Sequence, residues 1–249
     1  MKILFIAPMF PHPQESGSQI RMYQMCRYLS ARHTLHLACI SCQADTHLPQ
    51  DSIAICSRHI ALPSSPASSW RRLQRMAIMH PFTPSESVVK GLRQLAEKER
   101  YDAVIAAKTI GGFYAFEAGL GQRSFVVLEE GAGVHHLFYK REFQCSTMLL
   151  HKVRTFIQWQ KMLAFERRLV RRAHLTVSVS PDERAIISGM AGPDKVILTP
   201  NGVDTVFFSP MPATVPATSV VFMGSYGYAP NIRAARFAIN EILPALPQN

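Results

Sequence analysis

Short apolar runs alternate with stretches of helical character along residues 2–200, and this alternation leaves few folds open. The runs are KILFIAP, TLHLACIS, SIAICSRHIAL, YDAVIA, SFVVLEE, AHLTVSVS and KVILTP. KILFIAP is apolar at both alternating positions, as a central parallel strand covered on both faces must be. Between the runs, residues 19–31 read as a helix with Ile20, Tyr23, Met25, Cys26 and Leu29 turned inward. Residues 84–100 and 111–120 read as further helices, and a basic, Trp-containing segment covers 70–79. A long helix, with room for a break near Cys145, ends near Arg172. Ser180-Pro181-Asp182-Glu183 opens the next, with Ser at the N-cap, Pro at the first helical position and Glu closing a capping box. This order predicts an α/β fold, a Rossmann-like doubly wound parallel sheet.

The pattern then restarts. A hinge-like turn, TPNGVD, leads into the Pro-rich spacer PMPATVPATS, a buried-strand pattern, VVFMG, and one amphipathic helix, PNIRAARFAINEILPALP. One strand and one helix are the first third of a βαβ unit. The expected organisation is a complete domain over 1–198, a hinge and linker over 199–219, and the start of an incomplete second Rossmann-like domain over 220–249.

Composition narrows the setting. Hydrophobic residues make up 47% of the 249, enough for a packed core, and charged residues 18%. No segment approaches the roughly 18 to 20 apolar residues of a membrane span. MKILFIAPMF is too short for a secretory leader, is followed by PHP, and reads as the first core strand. Five scattered cysteines imply a reducing, cytoplasmic setting. The formal charge of +10 favours anionic partners. Its densest stretch, 151–172, sets Lys152, Arg154, Lys161, Arg167, Arg168, Arg171 and Arg172 against Glu166 alone. A solvated helix face and a surface for anionic membrane are both open readings. Nucleic acid is not expected, since no groove-reading motif accompanies the charge.

Two loops could carry chemistry. In an open α/β sheet, ligands sit beyond the carboxyl ends of the strands. The loop PHPQESGSQIRMYQ follows the first strand. Gly17 there allows close backbone approach, the helix N-terminus favours a phosphate, and Arg21 adds a charge one turn in. A plain loop and cap with a surface arginine is the alternative. The second loop, SFVVLEEGAGVHHLFYKRE, ends a strand with Glu129 and Glu130 and continues to His135 and His136, types suited to acid–base work or hydroxyl binding. Strand alternation lets at most one of the two carboxylates point into a site; a helix cap with surface histidines is the alternative. No GxGxxG, Walker loop, nucleophile elbow or HExxH is present. Cys39-x2-Cys42 and Cys56-x2-His59 have zinc-like spacing, but positions three apart on a strand face opposite sides, so no metal is expected.

Four segments together resemble family 4 glycosyltransferases of the GT-B fold. They are MKILFIAPMFPHPQESGSQIRMYQMCRYLSARHTLHL, AFERRLVRRAHLTVSVSPDERAII, LTPNGVDTVFFSP and VVFMGSYGYAPNIRAARFAINEILPALP. The likeness is to the bacterial branch that makes surface polysaccharides. It implies an N-terminal acceptor domain facing a donor domain across a cleft. Its reaction is transfer of a sugar from a nucleotide-sugar donor to a polysaccharide or lipid-linked acceptor, with no cofactor or metal. By motif, Gly17, Ser18 and Arg21, with Gly224 and Ser225, fall at the donor phosphates. Asn201 and Gly202 fall at the hinge, and Glu166 and Ser180 at recurrent structural positions. Glu129, Glu130 and His135 are the candidates on the acceptor side, although the family's usual Asp-x-His/Asn-x-Glu run is replaced here by VVLEEGAGVHH. The donor domain's Glu-x7-Glu is not in these residues, so the isolated chain is expected to be inactive. The alternative is a non-catalytic product or an acceptor-binding subunit that needs a partner chain. Either way the expected place is the cytoplasm, peripheral at the inner face of the membrane.

Overall fold

The computed structural model describes residues 1–40, 55–64, 84–129, 134–210, 220–227 and 229–246. They fall into two units, Met1–Asn201 and Gly202–Asn249. The first is built on seven parallel strands: β1 (Lys2–Ala7), β2 (Thr34–Cys39), β3 (Arg58–Ala61), β4 (Ala103–Ala107), β5 (Phe125–Glu129), β6 (Leu175–Ser178) and β7 (Val196–Leu198). Their order in the sheet is β3-β2-β1-β4-β5-β6-β7. Chain order thus runs outward in both directions from β1 and β4, and the crevice between the carboxyl ends of these two strands is the topological switch point.

Alternation along β1 explains its central place. Leu4 and Ile6 enter the apolar cluster on one face, with Val104, Leu128 and Phe165. Ile3, Phe5 and Ala7 enter the cluster on the other, with Leu35, Leu37, Met22 and Cys26. Leu4, Phe5 and Ile6 are fully buried, and each such side chain stabilises the fold by about 1.5–3 kcal/mol. The register pairs Ile3 with both Leu35 and Ala103.

Helix α1 (Gly17–Ser30) covers the second face. Helices α2 (Glu86–Lys98), α3 (Lys108–Glu117), α5 (Leu149–Arg172) and α6 (Pro181–Ala191) supply the first, and α4 (His135–Cys145) packs on α5. The expected break near Cys145 exists, between α4 and α5. Helix α3 is buried nearly throughout. A Cβ on its Gly111 would lie 3.0 Å from the Ile6 carbonyl oxygen, so glycine is what lets this helix lie on the strands. Ser180 caps α6, accepting from the Glu183 N–H at 3.2 Å. The Glu183 carboxylate returns to the Val179 N–H at 3.4 Å, one residue before the capping-box position. Two elements differ from expectation. The described part of the third strand is confined to Arg58–Ala61, and α3 starts three residues early, directly from β4. Segment 70–79 and Cys42 lie outside the described residues.

In the second unit, α7 (Ala229–Phe237) continues as a π-helical turn over Ala238–Ile242. The run Val220, Val221, Phe222, Met223 forms no strand and is exposed. A strand is completed by its neighbours, and none is described here for it to pair with.

Candidate functional site

Because β1 and β5 are parallel, the segment after β1 and the last residue of β5 share the carboxyl edge. Gly17, Ser18 and Arg21 therefore stand at the same edge as Glu129, as the sequence predicts. Glu130 lies outside the described residues. Ser16 caps α1, its Oγ accepting from the Gln19 N–H at 3.3 Å and lying 3.3 Å from Ser18 Oγ. A Cβ on Gly17 would meet nothing within 4 Å. Packing among the described residues does not require a glycine there.

Arg21 points into the edge. Its Nε donates to Glu129 Oε1 at 2.6 Å, Nη1 to Asn201 Oδ1 at 3.0 Å, and Nη2 to the Thr199 carbonyl at 3.1 Å. Arg21 is largely buried and Glu129 fully so. One side chain thus ties the first turn of α1 to the end of β5 and to the segment leaving β7. This explains why the first unit extends to Asn201, three residues beyond the boundary read from sequence. The predicted hinge pair, Asn201 and Gly202, straddles the division between the units.

A second cluster surrounds Glu166. Helix α4 begins after Val134, which has no side chain able to cap it. The buried Glu166 carboxylate supplies the cap from α5, accepting from the His135 N–H at 2.8 Å and the His136 N–H at 3.4 Å. His136 Nδ1 lies 2.6 Å from Glu166 Oε2 and is buried with it, so this histidine is structural. His135 is different. Its ring is half-exposed, with Nδ1 3.1 Å from Thr109 Oγ1 and 3.7 Å from Glu166 Oε1. Burial holds its pKa below the ordinary histidine value; Glu166 opposes the shift and the Lys108 charge adds to it. A neutral imidazole at an open edge can accept a proton or a hydroxyl hydrogen bond.

Lys108 is the residue that sequence reading missed. It follows β4 without a loop and has φ of +58°, in the left-handed region. Its backbone therefore stands at the carboxyl end of β4, beside the switch point, and its charge acts on His135. The available signal was a lone lysine between an apolar strand and an apolar helix, AVIAA-KTIGGFYAF. Gly224 and Ser225 belong to the second unit. There the Asn231 side chain folds over them, donating to the Ser225 carbonyl at 3.1 Å.

Cys26, Cys39 and Cys56 are buried, and burial raises the Cys26 and Cys56 thiols, the behaviour of packing groups. The concave regions bordered by Phe116, Arg168 and Arg172, and by Tyr101, Asp102 and His174, lie at the amino edge, away from the clusters above. Among the described residues no helix is long and apolar enough to cross a membrane.

Comparison with known proteins places this edge in context. The family model described as Glycosyltransferase Family 4 matches residues 16–207. No curated protein matches the chain. Among solved structures, sucrose-phosphate synthase from Thermosynechococcus elongatus is similar with a TM-score of 0.59 at 13% identity, over 85% of this chain and 51% of that one. Anabaena Alr3699/HepE, solved in complex with UDP-glucose, is similar with a TM-score of 0.52 at 16% identity, over 85% and 47%. The chain spans about half the length of these structures, and at such identity the likeness is one of fold.

Proposed function

The chain belongs to glycosyltransferase family 4, and from that membership we propose that its first unit is the acceptor-side wall of an enzyme moving a sugar from a nucleotide-sugar donor to a polysaccharide or lipid-linked acceptor. The family match over residues 16–207 carries this reading. The crowding of Gly17, Arg21, Lys108, Glu129 and His135 at one strand edge supports it, as does the UDP-glucose bound by HepE.

The proposed roles follow from the geometry. The open N-terminus of α1 at Gly17 and Ser18 faces the donor diphosphate, where helix N–H groups and the dipole favour negative charge. By family motif rather than by geometry, Gly224 and Ser225 of the second unit are assigned to phosphate binding as well. Arg21 is spent on Glu129, Thr199 and Asn201, so it acts as a positioning residue that fixes the hinge rather than as a phosphate ligand. His135, neutral and half-exposed, orients the acceptor hydroxyl. No cofactor or metal is needed: the transfer relies on holding two substrates in register, which supplies about 7–11 kcal/mol of a barrier. The setting is cytoplasmic, at the inner face of a membrane with anionic lipid.

Transfer of labelled sugar, by this unit joined to a family 4 donor domain, tests the reading. Gly17→Val should leave the melting temperature unchanged, since none of the described residues lies within 4 Å of that Cβ, while raising KM for the donor. An unchanged KM would remove Gly17 from the donor site.

A further inference from the structure

The basic stretch over 151–172 is not uniform in the folded chain. From Met162 onward α5 is packed into the core through Met162, Phe165, Leu169 and Val170. Before Met162, Thr155 is its buried residue. Here the large apolar side chains face outward: Leu149 is 76% exposed, Leu150 84%, Val153 51%, Phe156 43% and Ile157 47%. At 3.6 residues per turn these five fall within an arc of about 120° on the helix. Lys152 lies about 40° beyond one margin of that arc and Arg154 about 40° beyond the other. An apolar strip with cations along both margins is the pattern of a helix lying in a lipid–water interface.

The topology sets where this strip stands. β5 and β6 are parallel, so the connection between them starts at the carboxyl edge and must end at the amino edge. Helix α4 starts beside Glu166, α5 ends at Arg172, and the two pack as a hairpin. Phe143 joins them, with its ring 5.5 Å from Phe156 and 5.9 Å from Trp159. Leu149 is 17 residues before Glu166, or about 26 Å along the helix. The turn between the helices, carrying the exposed Met148, therefore projects past the carboxyl edge, on the side of the candidate site.

We propose that the exposed tip of the α4–α5 hairpin, centred on Leu149, Leu150, Val153 and Ile157, is a docking surface for an anionic lipid bilayer. Charge selects this occupant. Lys140, Arg141, Lys152 and Arg154 surround the tip, and Glu142 is the acid among residues 134–161. A second copy of this chain, at formal charge +10, would bring like charge against like. Lipid headgroups neutralise the cations while the apolar strip enters the acyl boundary. The lysines near the tip lie along aromatic rings, Lys152 at 5.4 Å from Phe143 and Lys140 at 5.7 Å from Trp159, with their charged ends able to reach headgroups. Docking in this way would hold the carboxyl edge facing the bilayer. That consequence rests on the transfer reading above, whereas the surface itself does not.

Cosedimentation of the full chain with vesicles, without any nucleotide sugar, tests the surface independently of transfer. The chain should bind phosphatidylcholine–phosphatidylglycerol vesicles and not phosphatidylcholine alone, with binding weakened by salt. Lys152→Glu with Arg154→Glu should lower the affinity by about tenfold or more. Leu150→Ser with Ile157→Ser should reduce it to the neutral-vesicle level while far-ultraviolet circular dichroism stays unchanged, because both side chains are exposed. Equal binding to both vesicles, or full binding by the Ser variant, would overturn the proposal. So would a dimer in solution that the Ser variant dissolves, since the occupant would then be a second copy. Loss of vesicle binding would leave the transfer reading intact, and transfer to a detergent-dispersed acceptor can fail without affecting vesicle binding.

Discussion

Arg21 and Glu129 form a buried ion pair whose arginine is completed by two further acceptors on the way out of β7. Removing one member of such a pair strands a buried charge and costs about 3–5 kcal/mol. Arg21→Ala should therefore lower the unfolding free energy of the first unit by about that amount, read from urea denaturation. A double-mutant cycle with Glu129→Gln should show strong coupling, and additive losses would mean that the pair is not the source. The sequence placed Arg21 at this edge but gave no sign that a residue 108 positions away would hold it. His36 and His135 are both held below the ordinary histidine value of 6.5, chiefly by burial. For each, the unfolded chain takes a proton that the folded state resists. Their contribution is thus fully present above pH 6.5 and is lost as the pH falls through that value toward the folded one. Melting temperature should drop between pH 7 and 5, with a shallower drop in His135→Gln. An identical drop in that variant would assign the acid sensitivity elsewhere.

At the scale of elements, the strands were legible because a parallel strand covered on both faces must be apolar throughout, and β1 after Lys2, all of β4, and β5 up to Glu129 meet that demand. Helix α6 was legible because its cap is local, and Ser180→Ala should cost about 1 kcal/mol in chemical denaturation. Where a partner far along the chain decides the outcome, the sequence was silent. Helix α4 is capped by Glu166, from another helix. Lys108 takes its left-handed conformation because α3 must turn straight off β4 onto the sheet. The apolar run at Val220 has strand composition, but pairing determines whether a strand forms. Gly111 shows how tight the α3 contact is. Alanine there would set a Cβ 3.0 Å from the Ile6 carbonyl and 3.2 Å from the Ala106 carbonyl carbon. Overpacking of this kind costs about 1–3 kcal/mol, more than the helix propensity it returns. Gly111→Ala should therefore melt at lower temperature than the parent chain, and a higher melting temperature would show that α3 can move away from the sheet.

For the whole molecule, the described residues of the first unit carry a seven-stranded sheet, two apolar clusters and an edge furnished with Arg21, Lys108, Glu129 and His135. The described residues of the second unit carry α7, its π-helical continuation, a last helical turn over Leu243–Ala245 and a turn at Tyr226 and Gly227. The family and the parallel α/β sheet could be read from the sequence because four segments and seven apolar runs all point the same way. Which side chains bond to which at the edge could not, since Arg21, Lys108, Glu129, His135 and Glu166 come from β5 and four different helices. The central claim is that this edge is the acceptor-side wall of a sugar-transfer cleft, and transfer depends on closing that cleft against a donor-binding wall. The direct measurement is transfer of labelled sugar from a nucleotide sugar to a membrane lipid extract. It would be made with the 249-residue chain alone, with a family 4 donor domain alone, and with the two fused. Turnover is expected in the fusion, with a fall of about a hundredfold in kcat/KM when His135→Ala removes the group that orients the acceptor. A fusion without turnover, or one indifferent to His135→Ala, would contradict this.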